Sequence, residues 1–565
     1  MDGTELRALV EAERERFGVA GLSVVVIRDG EVVVADGFGT RDKTDDLPAT
    51  PTTLFALASD TKHFVAAACA LLVEDGLLEW DRPVRDYLPD FALHDPHATA
   101  LVTLRDLLAH RTGLPRHDAL NAWSGTRLSP EEVVRRLRHL QPSAALRQTY
   151  QYNNLAYVTA GHLLGVLTGG DWETVVQTRL LDPLGMTATC FSREVAEKTG
   201  DIAVGYDMDG VAVPKRGEGR RGPAGGILSN AEDVARWLLA RLGRPTEGGC
   251  RVLSDAALTA LTTPSIVEPV GLARFPEIVK TGYALGTSTV VYRGVRVVHH
   301  GGNIDGFCSD LLLAPDRGHA IGVVANISGS GVRDAIPLAV LDRLLGLDPL
   351  PWGERWHALM SSYRGGALAA RDQLRAAPEG GPPSRPLADF AGRYAHPAYD
   401  VVDVSVDPGG DALRVSYHGY DDIEVTHKDV DVWDLQVPGY DLALTMSFRA
   451  GPHGVEDLVI PLEPMVDPIV FVREPAVLTD AEVSRLVGAY SMGDIALDVA
   501  RDGDLLVAEI PGMVRAVLQA RDALRFTVPG RSGLSVTFTV DDAGRVERLL
   551  LAPFGVFAPS AAVDG

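Results

Sequence analysis

The pattern of apolar and polar positions predicts strands near both ends of the first 350 residues and helices between them. Residues 22–28 and 31–39 flank Asp29-Gly30, and an Asp-Gly pair between two apolar runs is a strong signal for a two-residue hairpin. Strand-like runs return at 295–298, 309–314 and 320–327, before a last helix at 331–345. Because strands come early and late with helices between, we predict an α+β fold whose terminal strands share one antiparallel sheet flanked by helices.

The sequence pattern changes after a helical stretch at 354–376 and the segment 377–386. That segment is rich in proline and glycine, which is typical of a linker. Beyond it the chain shows short alternating strands and an internal repeat, FAGRY at 390–394 and LVGAY at 486–490. The repeat predicts two β modules of about ninety residues each. Closing each module into a small antiparallel barrel would remove its exposed strand edges. We therefore predict a first domain at 1–350, a helix and linker at 351–386, and barrels at 387–475 and 476–565.

Composition narrows the class of protein. The chain has 565 residues, 46% of them hydrophobic, which is enough for several sizeable cores. Its net charge of −23, without a basic run, gives no reason to expect nucleic acid or an anionic membrane as a partner. The first residues are charged and amphipathic, unlike a signal peptide, and no apolar run reaches the length of a membrane span.

The spacing of the cysteines bears on the cellular compartment and on metal binding. The four cysteines are far apart and show neither disulfide-like nor metal-like spacing. We therefore expect a cytoplasmic protein without a disulfide framework, metal or other cofactor, acting on a small molecule or peptide. The sequence leaves a homo-oligomer open.

Candidate chemistry begins at Ser59-Asp60-Thr61-Lys62, which opens a stretch predicted to be helical as far as Asp75-Gly76. Residues three apart share a helix face, so Ser59 and Lys62 would pair a nucleophile with a proton acceptor or donor. The helix N-terminus would also offer N–H groups to an oxyanion beside the hydroxyl. Taken alone, the Ser-x-x-Lys motif is better explained by a serine that caps the helix and a lysine exposed to solvent than by a catalytic pair.

Two further motifs change that balance. Tyr152-Asn153-Asn154 stands just before an apolar-periodic segment, 155–168, so the tyrosine is predicted on the loop that enters a helix. His300-Gly301-Gly302-Asn303 follows the strand-like run at 295–298. Each motif is separated from the next by roughly a hundred residues or more, and together they place a hydroxyl, an amine, a phenol and an imidazole as candidates for one site.

With these motifs in this order, the chain resembles the serine hydrolases related to class C β-lactamases, D-alanyl-D-alanine carboxypeptidases and D-aminopeptidases. The resemblance covers about residues 5 to 347 and includes the phrases at 107–115, 183–186 and 300–307. It implies a β-lactamase/transpeptidase-like catalytic domain. Its closest layout, that of D-aminopeptidase, implies two lipocalin-like barrels, one of which sends a loop to the active site. A purely stabilising or oligomer-forming role for the barrels is equally open.

The residue types leave two assignments of the catalytic base open. Either Tyr152, its pKa lowered by the nearby ammonium, takes the Ser59 proton as phenolate, or a desolvated neutral Lys62 takes it and Tyr152 protonates the leaving group. Asn154 would hold Lys62 and the substrate amide, or else simply cap the following helix. By resemblance, the oxyanion hole is the N–H of Ser59 with one near Asn303.

His300 with Gly302 forms the third motif of this family, and two alternatives compete with that assignment. Lys280-Thr281-Gly282 is a literal Lys-Thr-Gly, the form that many relatives carry, but only the histidine stretch is followed by two more strands and a final helix. The register is also open, since His299 with Gly301 could replace His300 with Gly302.

A histidine in the place of that lysine bears on the substrate. Histidine is mostly neutral at pH 7, so a free substrate carboxylate is less strongly demanded. We predict that the acyl donor is an amide, ester or peptide that the site recognises at its amino end and not at a free carboxylate, as in D-aminopeptidases. Asp305 is a candidate to bind an ammonium group, although a turn residue before Gly306 is the simpler interpretation.

Three classes of function follow from these residues. The first is a hydrolase acting through an acyl-serine. The second is an acyltransferase or peptide cyclase that passes the same acyl group to an amine. The third is a non-enzymatic, penicillin-binding-like sensor that is acylated and stalls.

Overall fold

The computed structural model describes residues 3–120, 128–213, 222–269, 275–375, 380–417, 420–436, 443–451, 454–503, 505–529, 531 and 534–560. The chain divides into two compact units, Met1–Ala376 and Ala377–Gly565. Part of the predicted linker, residues 376–379, lies outside the described residues.

The strands described in the first unit are β1 Gly21–Arg28, β2 Glu31–Asp42, β3 Leu47–Pro48, β4 Phe55–Ala56, β5 Leu228–Ser229, β6 Ile278–Tyr283, β7 Ser288–Tyr292, β8 Val295–Ile304, β9 Phe307–Ala314 and β10 His319–Ala325. Eight of them form one antiparallel sheet in the order β3-β2-β1-β10-β9-β8-β7-β6, while β4 and β5 pair with each other. The N-terminal hairpin joins the late strands because β1 pairs with β10, with Leu22 opposite Ala325. The predicted α+β fold with a shared antiparallel sheet is therefore confirmed.

Helices cover both faces of this sheet. Those described in this unit are α1 Gly3–Arg16, α2 Thr61–Glu74, α3 Pro96–Leu101, α4 Leu104–Leu108, α5 Pro130–Arg136, α6 Asn154–Thr168, α7 Trp172–Val176, α8 Asp182–Leu184, α9 Arg193–Glu197, α10 Ala231–Arg241, α11 Asp255–Thr262, α12 Val332–Leu344 and α13 Trp352–Arg375. The apolar residues of α1 and α12, together with Trp352 of α13, form one core with β1, β2 and β7 to β10. On the opposite face, α10 packs Val234 and Leu238 against Gly322 of β10. Every residue of β9 and β10 is buried, including the polar Ser309, Asp310 and His319.

The second unit contains two closed antiparallel barrels of eight strands each, which confirms the predicted pair of barrels. The first barrel comprises β11 Gly392–His396, β12 Asp400–Val406, β13 Leu413–Tyr417, β14 Tyr420–Asp429, β15 Val432–Gln436, β16 Ala443–Gly451, β17 Gly454–Ile460 and β18 Ile469–Arg473. The second, preceded by α14 Asp480–Leu486, comprises β19 Gly488–Met492, β20 Ile495–Asp502, β21 Leu505–Ile510, β22 Val514–Ala520, β23 Arg525–Thr527, β24 Ser535–Val540, β25 Val546–Ala552 and β26 Gly555–Pro559.

The sequence repeat has a structural cause. The Tyr394 hydroxyl donates to the carbonyl of Phe390 at 2.7 Å, and the Tyr490 hydroxyl donates to that of Leu486 at 2.8 Å. Each tyrosine thus ties the first strand of its barrel to the segment that enters it, and each ring is buried in its barrel core. The repeated motif therefore marks the start of a barrel.

Within the described residues, every helix is too short or too polar to cross a bilayer.

Candidate active site

Ser59 lies in a 3₁₀ turn, Ala58–Asp60, that leads directly into α2. Ala58 has a φ of +49°, a left-handed conformation that costs a residue with a Cβ about 1–3 kcal/mol. Neighbouring segments hold this turn on both sides. The Leu57 N–H donates to Ile227 O at 2.9 Å, and the Ser309 hydroxyl donates to Leu57 O at 2.8 Å. The hydroxyl of Ser59 is thus presented on a turn that the surrounding structure keeps strained.

Lys62 lies one turn further along and is fully buried. Its Nζ donates to Ser59 Oγ at 3.1 Å and to the carbonyl of Ala224 at 2.6 Å. Ala224 belongs to the turn Gly222–Ala224, which precedes β5. Hydroxyl and amine are therefore within proton-transfer distance, and the second contact aims the amine at Ser59.

Tyr152 completes the group. Lys62 Nζ is 4.8 Å from the centre of its ring, and the Ser59 side chain is close enough to the phenol to favour its ionised form. Burial raises the pKa of Tyr152, and neither Ser59 nor the charge of Arg116, which lies 5.1 Å from the ring, reverses that shift. The phenolate alternative needs the opposite shift, so the raised pKa favours the protonated phenol.

The two histidines of β8 face opposite sides of the sheet, as successive strand residues do. The buried ring of His300 lies 5.9 Å from that of Tyr152 and 5.8 Å from that of His63. Burial lowers the pKa of His300 well below its usual value, so the imidazole is neutral at pH 7. His299 instead contacts Asp310 on the other face, with Nδ1 and Oδ2 3.1 Å apart.

Gly302 allows β8 to approach the Ser59 turn. A Cβ there would lie 2.6 Å from Leu57 O and 2.9 Å from the Cβ of Ala58. Position 302 thus acts through close packing, not through a side chain. The next residue, Asn303, is exposed, and its Oδ1 accepts a hydrogen bond from the Gly329 N–H at 2.7 Å.

Asn154 is the first residue of α6 and donates from Nδ2 to Asp118 Oδ1 at 2.9 Å. The alternative that Asn154 caps this helix is wrong, because the N-cap is Asn153, whose side chain accepts from the Ala156 N–H. Asp118 also accepts from Arg116 Nε at 2.5 Å. A carboxylate therefore lies beside the Tyr-x-Asn segment. Asp305, by contrast, occupies the turn between β8 and β9, next to Gly306 with its φ of +81°.

Some residues of the site were not singled out from the sequence. His110, within the phrase at 107–115, accepts a hydrogen bond at Nδ1 from the Asn153 N–H at 3.1 Å, and its ring lies 4.4 Å from that of Tyr152. It therefore positions the tyrosine loop. Ala224, which orients Lys62, acts through a backbone carbonyl, for which the sequence gives no signal.

The competing residues have other roles in this structure. Lys280 lies on the edge strand β6 and forms an ion pair with Glu268. Cys308, a residue of β9 with a nucleophilic side chain, is buried, and burial raises the pKa of its thiol to about 11, which keeps it protonated.

Comparison with known proteins agrees with this geometry. A model of the Beta-lactamase family matches residues 6–344. The chain is 32% identical over 479 residues to the unguisins hydrolase ungD' of Aspergillus campestris, covering 80% of this chain and 88% of that protein.

Two solved structures also resemble the chain. One is the octameric penicillin-binding protein homologue from Pyrococcus abyssi, with a TM-score of 0.55 and 22% identity over 92% of this chain and 100% of that one. The other is the D-amino acid amidase from Ochrobactrum anthropi SV3, with a TM-score of 0.50 and 25% identity over 60% of this chain and 96% of that one. Fold and relatives together define a serine hydrolase of the β-lactamase type. The chain belongs to the Beta-lactamase family.

Proposed function

We propose that this protein hydrolyses amide, peptide or ester bonds through an acyl-Ser59 intermediate, and that its substrates are amides or short peptides of D-amino acids. The observation that carries the proposal is the 3.1 Å contact between Lys62 Nζ and Ser59 Oγ, with the Tyr152 ring centre 4.8 Å from the same Nζ. A nucleophile, a base and an acid are the groups that acyl transfer needs.

The proposed proton path assigns the base to Lys62. Complete burial disfavours a charge on the Lys62 amine, and a neutral amine accepts the hydroxyl proton along the 3.1 Å contact. Ser59 Oγ attacks the substrate carbonyl carbon while its proton moves to Nζ. Tyr152, which keeps its proton, donates it to the leaving nitrogen, and the ammonium then restores the phenol. Deacylation runs these steps in reverse, with water in place of the leaving amine. A proton of the attacking water passes by way of Tyr152 and Lys62 to Ser59 Oγ, and the acid is released.

The developing oxyanion would be stabilised by the N–H groups of Ser59 and Asn303. The close packing of β8 at Gly302 against the Ser59 turn supports this assignment, because it brings the two main-chain segments side by side. Loss of one such donor typically costs about 3 kcal/mol of barrier.

The substrate class rests on charge and on relatives. A buried, neutral His300 supplies no fixed positive charge for a substrate carboxylate. Asp118, beside Asn154, is paired with Arg116, but its carboxylate oxygens can still accept from a substrate α-ammonium. The D-amino acid amidase and the unguisins hydrolase, by their names, act on D-amino acid amides and on unguisins. These observations favour donors with a free amine over donors with a free carboxylate.

Intact-mass analysis tests the nucleophile. The wild-type chain, treated with a fluorophosphonate or a penicillin, should gain one adduct, and Ser59→Ala should gain none. An adduct that persists in Ser59→Ala would refute the assignment.

A panel of phenylalanine amides and alanine dipeptides, each as D and L forms, tests the substrate. We expect D-amides to be turned over faster than L-amides and than D-alanyl-D-alanine peptides. A preference for the peptides with a free carboxylate would contradict the proposed substrate class.

A further inference from the structure

Asp60 follows Ser59 in the chain, and the proposed proton path makes no use of its carboxyl group. It is the N-cap residue of α2, a position from which an aspartate side chain normally accepts a helix N–H. Its side chain makes no such bond here. It contacts instead the hydroxyl of Ser309 on β9, with Oδ2 2.6 Å from Oγ. Both residues are fully buried.

The Ser309 hydroxyl has a second close oxygen neighbour. Its Oγ lies 2.6 Å from Asp60 Oδ2 and 2.8 Å from Leu57 O, the carbonyl at which the Ser59 turn begins. A carbonyl oxygen is only an acceptor, an ionised carboxylate is only an acceptor, and a hydroxyl carries a single hydrogen. If Asp60 were ionised, one of these two short contacts would have no hydrogen between its oxygens. A protonated Asp60 removes the conflict, because its own O–H serves the contact with Ser309.

The immediate surroundings of Asp60 also disfavour a negative charge. Its Oδ1 is buried without a hydrogen-bond partner, and no lysine or arginine of the described ranges forms an ion pair with it. His63 Nδ1 lies 3.9 Å from Oδ1, but burial lowers the pKa of that imidazole well below its usual value, so it is neutral. An unpaired buried anion is far more costly than an unpaired oxygen of a neutral acid.

Charges further from the carboxyl group do not change this balance. Burial, followed by the negative charge of Asp310 on β9, raises the pKa of Asp60 well above its usual value. The positive charges of Arg333 on α12, His299 on β8 and Arg241 on α10 favour the ionised form but do not reverse the shift. The raised pKa agrees with the hydrogen count at Ser309.

We propose that Asp60 is a positioning residue that works as a neutral acid: its O–H donates to Ser309 Oγ, and the Ser309 hydroxyl donates to Leu57 O. This chain of hydrogen bonds ends on the carbonyl that precedes Ala58, the residue whose left-handed backbone presents Ser59. The neutral acid therefore stabilises the turn that carries the nucleophile. The inference rests on the proposed function only for the role of Ser59.

Infrared difference spectroscopy tests the proton directly and needs no activity. The spectrum of the full-length wild type minus that of Asp60→Asn, both at pH 7, should contain the carbonyl band of a carboxylic acid, because the other carboxyl groups cancel. A difference spectrum with a carboxylate band in its place would overturn the proposal.

Substitutions of Asp60 test the positioning role, with the rate at which a fluorophosphonate modifies Ser59 as the readout. Asparagine has the shape of the neutral acid and an N–H donor for Ser309, so Asp60→Asn should react within about threefold of the wild type. Asp60→Ala removes the donor and should react at least about tenfold more slowly. If asparagine were as slow as alanine, the negative charge would be what matters, and the proposal would be wrong.

Ser309→Ala breaks the same chain of hydrogen bonds and should slow the reaction as Asp60→Ala does. The double variant should be no slower than the slower single variant, because the two residues act as one unit. Ser23→Ala removes a buried hydroxyl from β1 of the same sheet and should leave the rate unchanged. Additive losses in the double variant would overturn the proposal. A wild type that is not modified at all would instead refute the role of Ser59, and the infrared band would then decide the state of Asp60.

Discussion

His299 and His300 are neighbours in the chain but belong to two different chemical environments: His299 Nδ1 lies 3.1 Å from Asp310 Oδ2, while the His300 ring lies beside Tyr152. Burial alone would lower the pKa of both imidazoles. At His299 the charge and hydrogen bond of Asp310 outweigh burial and raise the pKa, whereas at His300 burial has the largest effect and lowers the pKa. One strand therefore carries a histidine that favours the charged form and one that favours the neutral form.

Tyr152→Phe should separate the two assignments of the base. If Tyr152 protonates the leaving group, kcat for an amide falls about 10²- to 10⁴-fold, while a p-nitrophenyl ester, whose leaving group needs no proton, is far less affected. Both are measured in steady state. Equal losses with amide and ester would instead identify Tyr152 as the base. Tyr150→Phe, on the same loop, is the control.

Arginine substitutions should distinguish the role of Lys62, the lysine of Ser-x-x-Lys, from that of Lys280, the lysine of Lys-Thr-Gly. Lys62→Arg is expected to abolish acylation, because a guanidinium stays protonated and cannot take the Ser59 proton. Lys280→Arg keeps the ion pair with Glu268 and should retain near-normal turnover. Acylation is followed by intact mass. Loss of acylation in Lys280→Arg, with folding intact, would revive Lys-Thr-Gly as the third motif.

Adjacent glycines offer a matched pair of substitutions. In Gly302→Ala the new methyl meets Leu57 O at 2.6 Å, so the Ser59 turn must shift, at a cost of about 1–3 kcal/mol in stability. We expect acylation to slow at least tenfold. In Gly301→Ala the nearest atoms lie 3.5 Å away, which is ordinary contact, and both stability and rate should change little. Urea unfolding and single-turnover acylation report the two effects; similar outcomes for both variants would contradict the packing argument.

The free energy of unfolding should decrease as the pH falls below about 6.5. Burial lowers the pKa values of His63, His110 and His300 well below their usual value, so the unfolded chain binds protons that the folded chain does not. Each of these groups costs up to about 1.4 kcal/mol per pH unit in that window. His299, with its raised pKa, acts in the opposite sense: its contribution is present below the unfolded pKa and is lost as the pH rises through the folded one.

His63→Leu tests this pH dependence. Both ring nitrogens of His63 are buried without a hydrogen-bond partner among the residues described, so leucine should cost little at pH 7. The decrease in stability between pH 6.5 and 5.5 should become smaller by up to about 1.4 kcal/mol. Urea unfolding at the two pH values measures it, with His97→Gln at an exposed position as control. An unchanged decrease would count against a neutral, buried His63.

Local signals account for what the sequence predicted well. The Asp29-Gly30 turn, the long helix after residue 350 and the FAGRY-type repeat each encode their structure within a few residues. The extent of β8 was underestimated, since it continues through His-Gly-Gly-Asn to Ile304. That segment lacks apolar alternation, and pairing with β9 keeps it extended.

The candidate site was predictable in its motifs but not in its environment. Nothing in Tyr-x-Asn reveals how far the surrounding chain desolvates the phenol, and that desolvation determines the direction of its pKa shift. Likewise, two adjacent asparagines offer equal capping chemistry. The extended backbone of Asn153, with φ −141° and ψ 117°, makes it the N-cap and leaves Asn154 to contact Asp118.

The left-handed backbone at Ala58 also limits how this enzyme can evolve. Glycine at that position would tolerate the conformation at lower cost, but it would also let the nucleophile adopt other orientations once the methyl group no longer restricts the turn. Selection for thermal stability would thus favour glycine at position 58, whereas selection for turnover would favour alanine. Such a trade-off is expected wherever a reactive group depends on an unfavourable backbone conformation.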